Sequence, residues 1–361
     1  MNQKKIFFYL TLLAALFITA CSDDDNPIDN GNPSTEGKTL LILSEGSWNG
    51  NNSTLARYDL STRDLDKDYF KSVNKRGLGD TGNDMLLYGS KVYIIVNMSS
   101  TIEVMNVSTG ISQSIEMKKE DGSGKQPRRI ASHNGKVYVT SFDDTVTCID
   151  TTSLAISGSV DVGMNPEAIV VKNNKLYVAN SGFGFDNTVS VIDISGETMK
   201  EEKKIEVGPN PVNMGSDSQG DLYISLMATY DQEGNITEAA SFKRIKPASG
   251  EVETIEAVES PDRFVIADNK AYIISNVNGT SKIVVYDCLQ EKVVSENFIQ
   301  DGTKITNTIY NISADEKSGE FFITETDYTT PGSVYCFDKD GKLQYTIADL
   351  GINPTTAIVL R

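Results

Sequence analysis

The sequence predicts an all-β, seven-bladed β-propeller closed by pairing of the C-terminal strand with the N-terminal blade. Three observations predict it. First, residues 165–208 hold four short β-type runs, at 168–171, 175–180, 188–194 and 203–207, and Asn173-Asn174 and Ser195-Gly196 suit tight turns between them. One such meander cannot cover both its faces, so it needs copies of itself on either side. Second, the copies exist. A second-strand signature recurs as Lys91-Val92-Tyr93-Ile94, Lys136-Val137-Tyr138-Val139 and Lys175-Leu176-Tyr177-Val178. It degenerates to Asp221-Leu222-Tyr223-Ile224, Lys270-Ala271-Tyr272-Ile273 and Glu320-Phe321-Phe322-Ile323, with the weakest copy at Lys38-Thr39-Leu40-Leu41. The seven markers are spaced 39 to 53 residues apart, the period of a four-stranded blade. Third, the tail 353–360 copies the start of the 165–208 unit, whereas the first blade begins at its second strand. The tail therefore supplies the missing first strand and leaves no open edge.

Taken in order, the chain begins with Lys4-Lys5, an apolar run over 6–20 and Cys21, the pattern of a secretory leader. The run is short for an uncleaved membrane helix. Ile18-Thr19-Ala20-Cys21 resembles a bacterial lipobox, which implies a signal peptide over 1–20 and lipidation of Cys21. Ser22-Asp23-Asp24-Asp25 resembles the surface-export signal of Bacteroidetes lipoproteins. Residues 21–37 are polar, with Pro27, Gly31, Pro33 and Gly37, and read as a flexible tether. The propeller then occupies 38–361. Its blades fall at about 38–70, 83–117, 127–163, 165–208, 210–255, 260–299 and 307–350, the fifth with an insertion at 228–240. The unit resembles the YVTN-type bacterial propeller repeat, through Lys175-Leu176-Tyr177-Val178-Ala179-Asn180, Val189-Ser190-Val191-Ile192-Asp193 and Val207-Gly208-Pro209-Asn210-Pro211. That resemblance speaks for fold and not for function.

Charge and composition exclude several functions. The net charge of −17 becomes about −19 without the leader, which argues against nucleic acid and against electrostatic docking on an anionic membrane. The only contact with a membrane is then the lipid anchor. The single histidine, His133, falls in a strand turn of blade 3, which removes histidine-based metal sites and Ser-His-Asp triads. No metal site, cofactor or catalytic residue is expected. Asp231-Gln232-Glu233-Gly234-Asn235 departs from a calcium loop, and Asp338-Lys339-Asp340-Gly341 reads as a hairpin turn. Asp150, Asp193, Asp287 and Asp338 recur at third-strand ends and read as turn acids. Glu167 and Asp262 are the one pair of carboxyls near the channel with any claim to acid–base chemistry. Cys148, Cys288 and Cys336 occupy places that cannot be bridged without mismatch and read as three free, mostly buried thiols.

A binding site is expected on loops above this scaffold. The long second-to-third-strand loops carry Trp48, Asn49, Phe183, Phe185, Tyr230 and Tyr328. The loops into first strands bring Asn83, Arg128, Arg129, Asn165, Glu167, Asn210, Asn213, Asp262, Arg263, Tyr310 and Thr355 to the same face. The competing reading has the aromatics capping inter-blade cores and the asparagines serving turns.

The lipobox, the acidic run, the seven repeats and Leu43-Ser44-Glu45-Gly46-Ser47-Trp48-Asn49 together resemble the surface propellers of Bacteroidetes, one branch of which is the BtuG-type cobalamin-binding proteins. The resemblance implies an outer-membrane, lipid-anchored protein exposed at the cell surface. It implies capture of cobalamin or a related corrinoid for a TonB-dependent outer-membrane transporter, with aromatics over the corrin and Asn and Arg on its amides and phosphate. Cobalamin would then be a transported ligand and not a cofactor. The alternatives are a surface-layer or adhesion module gripping protein or glycan and, more weakly, a propeller lyase or lactonase.

Overall fold

Alternation along each second strand sets the architecture. In Lys175–Asn180, Leu176 and Val178 pack with Tyr138 and Val146 of the blade before, while Tyr177 and Ala179 pack with Leu222 and Ile224 of the blade after. Each fully buried side chain of this kind contributes about 1.5–3 kcal/mol, which is realised only when both neighbours are present. Repetition gives seven four-stranded antiparallel sheets and seven apolar clusters, one between each pair of adjacent blades. The computed structural model describes residues 37–361. The expected signal peptide, Cys21 and nearly all of the 21–37 tether lie outside the described residues. Among the described residues no helix is long and apolar enough to cross a membrane.

The first strands of blades 2 to 7 are Gly82–Tyr88, Pro127–His133, Pro166–Lys172, Pro211–Ser216, Pro261–Ala267 and Thr308–Asp315. Pro354–Leu360 is the first strand of blade 1, whose others are Thr39–Ser44, Thr54–Asp59 and Leu65–Asp66. These seven strands contact one another in a closed cycle around the central channel. The closure expected from the tail is present: Thr39 pairs with Leu360, Leu41 with Ile358 and Leu43 with Thr356. Ala357 and Val359 then complete the cluster between blades 7 and 1 with Leu40, Ile42, Phe322 and Val334.

The turns follow the side chains assigned to them. Asn173 and Asn174 both adopt positive φ, at 50° and 56°, as a two-residue hairpin requires. Asp150 accepts from the backbone N–H groups of Thr152 and Ser153 at 3.0 and 2.7 Å, and Asp338 accepts from those of Asp340 and Lys342 at 2.9 and 3.0 Å. Asp193 and Asp287 do the same for the residues after them. Asp231 closes a small added hairpin, Thr229–Tyr230 with Ile236–Glu238, by accepting from the N–H groups of Glu233 and Asn235. Cys148, Cys288 and Cys336 are free and buried.

One element corrects the sequence reading. The fourth strand of blade 1 is only Leu65–Asp66, and the next element is a short helix, Tyr69–Asn74, in place of strand up to residue 70. Asp68 caps it by accepting from the Lys71 N–H, and Phe70 is buried in the cluster between blades 1 and 2. A single apolar anchor in six residues carries no period by which to tell helix from strand.

Deleting residues 353–361 removes the inner strand of blade 1 and opens the cluster behind it. The melting temperature of the whole domain should fall by ~10 °C or more. An unchanged melting curve would refute closure as the source of stability.

Candidate functional site

Each first strand carries a β-bulge at the same place. In blade 3 Pro127 pairs with Ser141 and Ile130 with Val139, so Arg128 and Arg129 together face one residue of the next strand. The same interruption follows Gly82, Pro166, Pro211, Pro261, Ile309 and Pro354 in the other six blades. A bulge bends its strand and re-aims the extra side chain. Two residues per blade are thereby set around the end of the channel: Asn83-Asp84, Arg128-Arg129, Glu167-Ala168, Val212-Asn213, Asp262-Arg263, Tyr310-Asn311 and Thr355-Thr356.

The polar members of this ring form a half-satisfied network. Arg128 donates from Nε to Glu167 at 2.8 Å, and Glu167 is only 5% exposed. Arg129 donates to the main-chain carbonyl of Asn83 at 2.9 Å. Asp84 accepts from the Ile130 N–H at 3.1 Å, and burial pushes its carboxyl up despite the guanidinium of Arg129. Arg263 donates to the carbonyl of Tyr310 at 3.2 Å and lies over the Tyr310 ring at 4.2 Å. Burial opposes the charge on Arg263, but Tyr310, Glu45 and Asp262 outweigh it and hold the guanidinium protonated. The Tyr310 hydroxyl donates to Glu45 at 2.8 Å, and burial pushes its pKa up to about 12. Asp262 accepts from Asn276 at 3.2 Å, and its carboxyl is also raised by burial. Glu45 Oε1, Asn83 Oδ1, Glu325 Oε2 and Thr355 Oγ1 are buried with no hydrogen-bond partner among the described residues. Such orphans are costly unless something polar reaches them.

Above the ring stand the aromatics. Trp48 is 74% exposed, Phe183 62%, Phe185 86%, Tyr230 62% and Tyr328 55%. The reading in which they cap inter-blade cores is therefore wrong for all five. They form two groups on opposite sides of the face, Phe183, Phe185 and Tyr230 on blades 4 and 5, and Tyr328 and Trp48 on blades 7 and 1. Each side is tied to the ring by a stacked column. Phe183 meets Phe142 edge-on at 5.1 Å, and Arg128 lies over Phe142 at 5.2 Å. Tyr328 meets Tyr310 edge-on at 5.9 Å, with Arg263 beneath. Phe183 and Tyr328 both sit in the left-handed region, at φ 51° and 68°, which is uncommon for a bulky side chain. Gly182 and Gly184 on either side of Phe183 also take positive φ, so the backbone is shaped to display that ring.

Not every residue expected at the site contributes a side chain to it. Asn49 and Asn165 adopt positive φ, 58° and 42°, and turn the chain. The Asn165 N–H donates to Asp144 and its carbonyl accepts from Ser181 Oγ at 2.9 Å. Asn83 is buried, and Asn213 lines the channel, a cavity of about 930 Å³ that also takes in Arg129, Leu86, Val265 and Ile358. His133 lies at the far end of its strand and contacts Asn174 at 2.8 Å. A second cavity of about 860 Å³ lies on that opposite face, among Asp217, Asp268, Asn269 and Asp315, away from the aromatics. Glu45, Asp84, Phe142 and Glu325 belong to the site and were not among the expected residues. The two-residue slot before the first buried apolar residue of each first strand, Asn83-Asp84 before Met85 as Arg128-Arg129 before Ile130, was the signal that would have found Asp84.

Neither a protein-family model nor a curated relative matches the chain. Solved structures do. A quinoprotein alcohol dehydrogenase-like protein from Bacteroides thetaiotaomicron is similar at TM-score 0.64 and 17% identity, over 88% of this chain and 77% of that one. A candidate 6-phosphogluconolactonase from Bacteroides fragilis is similar at TM-score 0.63 and 12% identity, over 91% of this chain and 100% of that one. Apo AztD from Citrobacter koseri is similar at TM-score 0.55 and 12% identity, over 90% and 98%. At such identities the likeness is one of fold.

Two substitutions separate scaffold from display. Arg128→Met leaves Glu167 as a buried, unpaired charge and should cost ~3–5 kcal/mol in urea unfolding, most of it recovered in the double variant with Glu167→Gln. Phe183→Gly relieves a left-handed strain of ~1–2 kcal/mol while losing an aromatic contact of ~0.5–1.5 kcal/mol. Its stability should stay within about 1 kcal/mol of the parent. A large loss would mean that the ring is structural.

Proposed function

We propose that the protein is a lipid-anchored outer-membrane protein, exposed at the cell surface, that captures cobalamin or a related corrinoid for a TonB-dependent transporter. The observation that carries this reading is the pair of exposed aromatic groups facing each other across a ring of buried polar atoms and guanidiniums. A corrin offers an apolar macrocycle edged by amides, and amides supply both donors and acceptors. Trp48, Phe183, Phe185, Tyr230 and Tyr328 would cover the macrocycle. Orphaned acceptors such as Glu45 Oε1 would take amide N–H groups. Burying one large aromatic ring contributes up to ~4–6 kcal/mol at ~25 cal/mol/Å² over ~150–250 Å². The leader, lipobox and acidic run support the location.

Binding is favoured over catalysis because the candidate acid–base pair is divided. Glu167 and Asp262 lie two blades apart, one paired with Arg128 and the other bonded to Asn276.

Trp48 is the only tryptophan and is 74% exposed, so its emission reports on this face alone. Cyanocobalamin should bind the folded protein with measurable heat, remain coloured on it through desalting and quench that emission. Trp48→Ala should weaken binding about tenfold or more. No heat and no retained colour would end the corrinoid reading.

A further inference from the structure

Apart from Arg57 and Arg63, which are exposed, the arginines of the described residues divide into two kinds. Arg76 grips Glu103 with two bonds of 2.8 and 2.7 Å, Arg361 grips Asp315 through both terminal nitrogens, and Arg244 is held by Glu253 and Glu291. Those are the patterns of structural guanidiniums, saturated by carboxylates. Arg129 and Arg263 differ. Each makes one hydrogen bond, to a main-chain carbonyl, and neither has a carboxylate within 4.0 Å among the described residues. A guanidinium carries five N–H donors, so most of theirs are unassigned. Both hold the second of the two bulge positions in their strands, the position from which Asp84, Asn213 and Asn311 line the channel, so that with Arg128 they put three guanidiniums on one ring of a strongly acidic chain.

The facing carboxyls do not consume these donors. Glu45 takes the Tyr310 hydroxyl, Glu167 takes Arg128, Asp262 takes Asn276, and Asp84 takes the N–H groups of Met85 and Ile130. Burial raises the carboxyls of Asp84 and Asp262.

We infer that Arg129 and Arg263 form an oxyanion subsite of the phosphate class at the channel mouth. Planar, paired donors match a tetrahedral oxyanion, and Arg128, fixed by Glu167, adds charge without leaving its partner. The occupant is either free phosphate or a phosphodiester carried by a larger ligand. The second case rests on the corrinoid reading above, since cobalamin carries one phosphodiester in its nucleotide loop and cobinamide carries none. The subsite would then make the protein selective between these two corrinoids.

The test uses the folded protein and two probes. In calorimetry with inorganic phosphate at low chloride, the parent should bind, Arg129→Gln and Arg263→Gln should each lose about tenfold or more, and Arg→Lys at either position should recover part of it. In the second arm the parent should prefer cyanocobalamin to dicyanocobinamide, and the two Gln variants should lose that preference while keeping affinity for cobinamide. Corrinoid preference without phosphate binding assigns the subsite to the ligand's phosphodiester. Phosphate binding without any corrinoid binding supports the subsite and ends the corrinoid reading. Equal affinity for both corrinoids in parent and variants, with no phosphate binding, overturns the subsite and leaves the corrinoid reading standing. Melting curves of each variant separate lost binding from lost folding.

Discussion

The pairing of Pro354–Leu360 with Thr39–Ser44 is the constraint on which the rest depends. Every inter-blade cluster is assembled from two sheets, so a ring with one gap leaves two apolar faces open to water. The contacts that close the gap join residues more than three hundred positions apart. They are formed at the full entropic cost of loop closure and cannot be anticipated by any local turn. Once they form, each blade is held from both sides, and the seven inner strands become a rigid collar. That rigidity lets loops with little internal structure present side chains in fixed places.

The collar also governs the chemistry at its end. A regular first strand would put one residue in two towards the channel. The bulge after each proline or its equivalent puts two residues against one, in all seven blades, and so doubles the side chains available around the opening. Because the bulge is a backbone property, blades can exchange the two residues without altering the fold. Blade 3 uses Arg128-Arg129, blade 4 Glu167-Ala168 and blade 7 Tyr310-Asn311. Scaffold and specificity are thus encoded at adjacent positions yet are almost independent.

This division explains what was legible in the sequence. The period-two strands, the recurring Lys-x-Tyr, the tail that matches a first strand and the turn acids all report on local backbone or on burial, and each is written in residue type. The added hairpin in blade 5 stood out because it broke the period. The helix at Tyr69–Asn74 did not, since its one anchor, Phe70, is as apolar as a strand residue. The ring was half visible. Arg128, Arg129, Arg263 and Tyr310 were placed on the right face by their order in the repeat. Asp84 was missed because blade 2 has Gly82 where five first strands have proline, and Glu45 because its contact with Tyr310, from opposite ends of the chain, leaves no mark on spacing. Asparagine was the least informative type: Asn49 and Asn165 turn the backbone, Asn213 lines the channel, and the letter is the same.

The described chain enters blade 1 at Thr39, which pairs with Leu360, and ends at Arg361, which holds Asp315 on the face away from the aromatics. Each four-stranded blade returns the chain to the side from which it started, and the borrowed strand of blade 1 keeps that parity for the ring as a whole. The domain therefore carries both ends of its described chain on one side and the aromatic rim on the other.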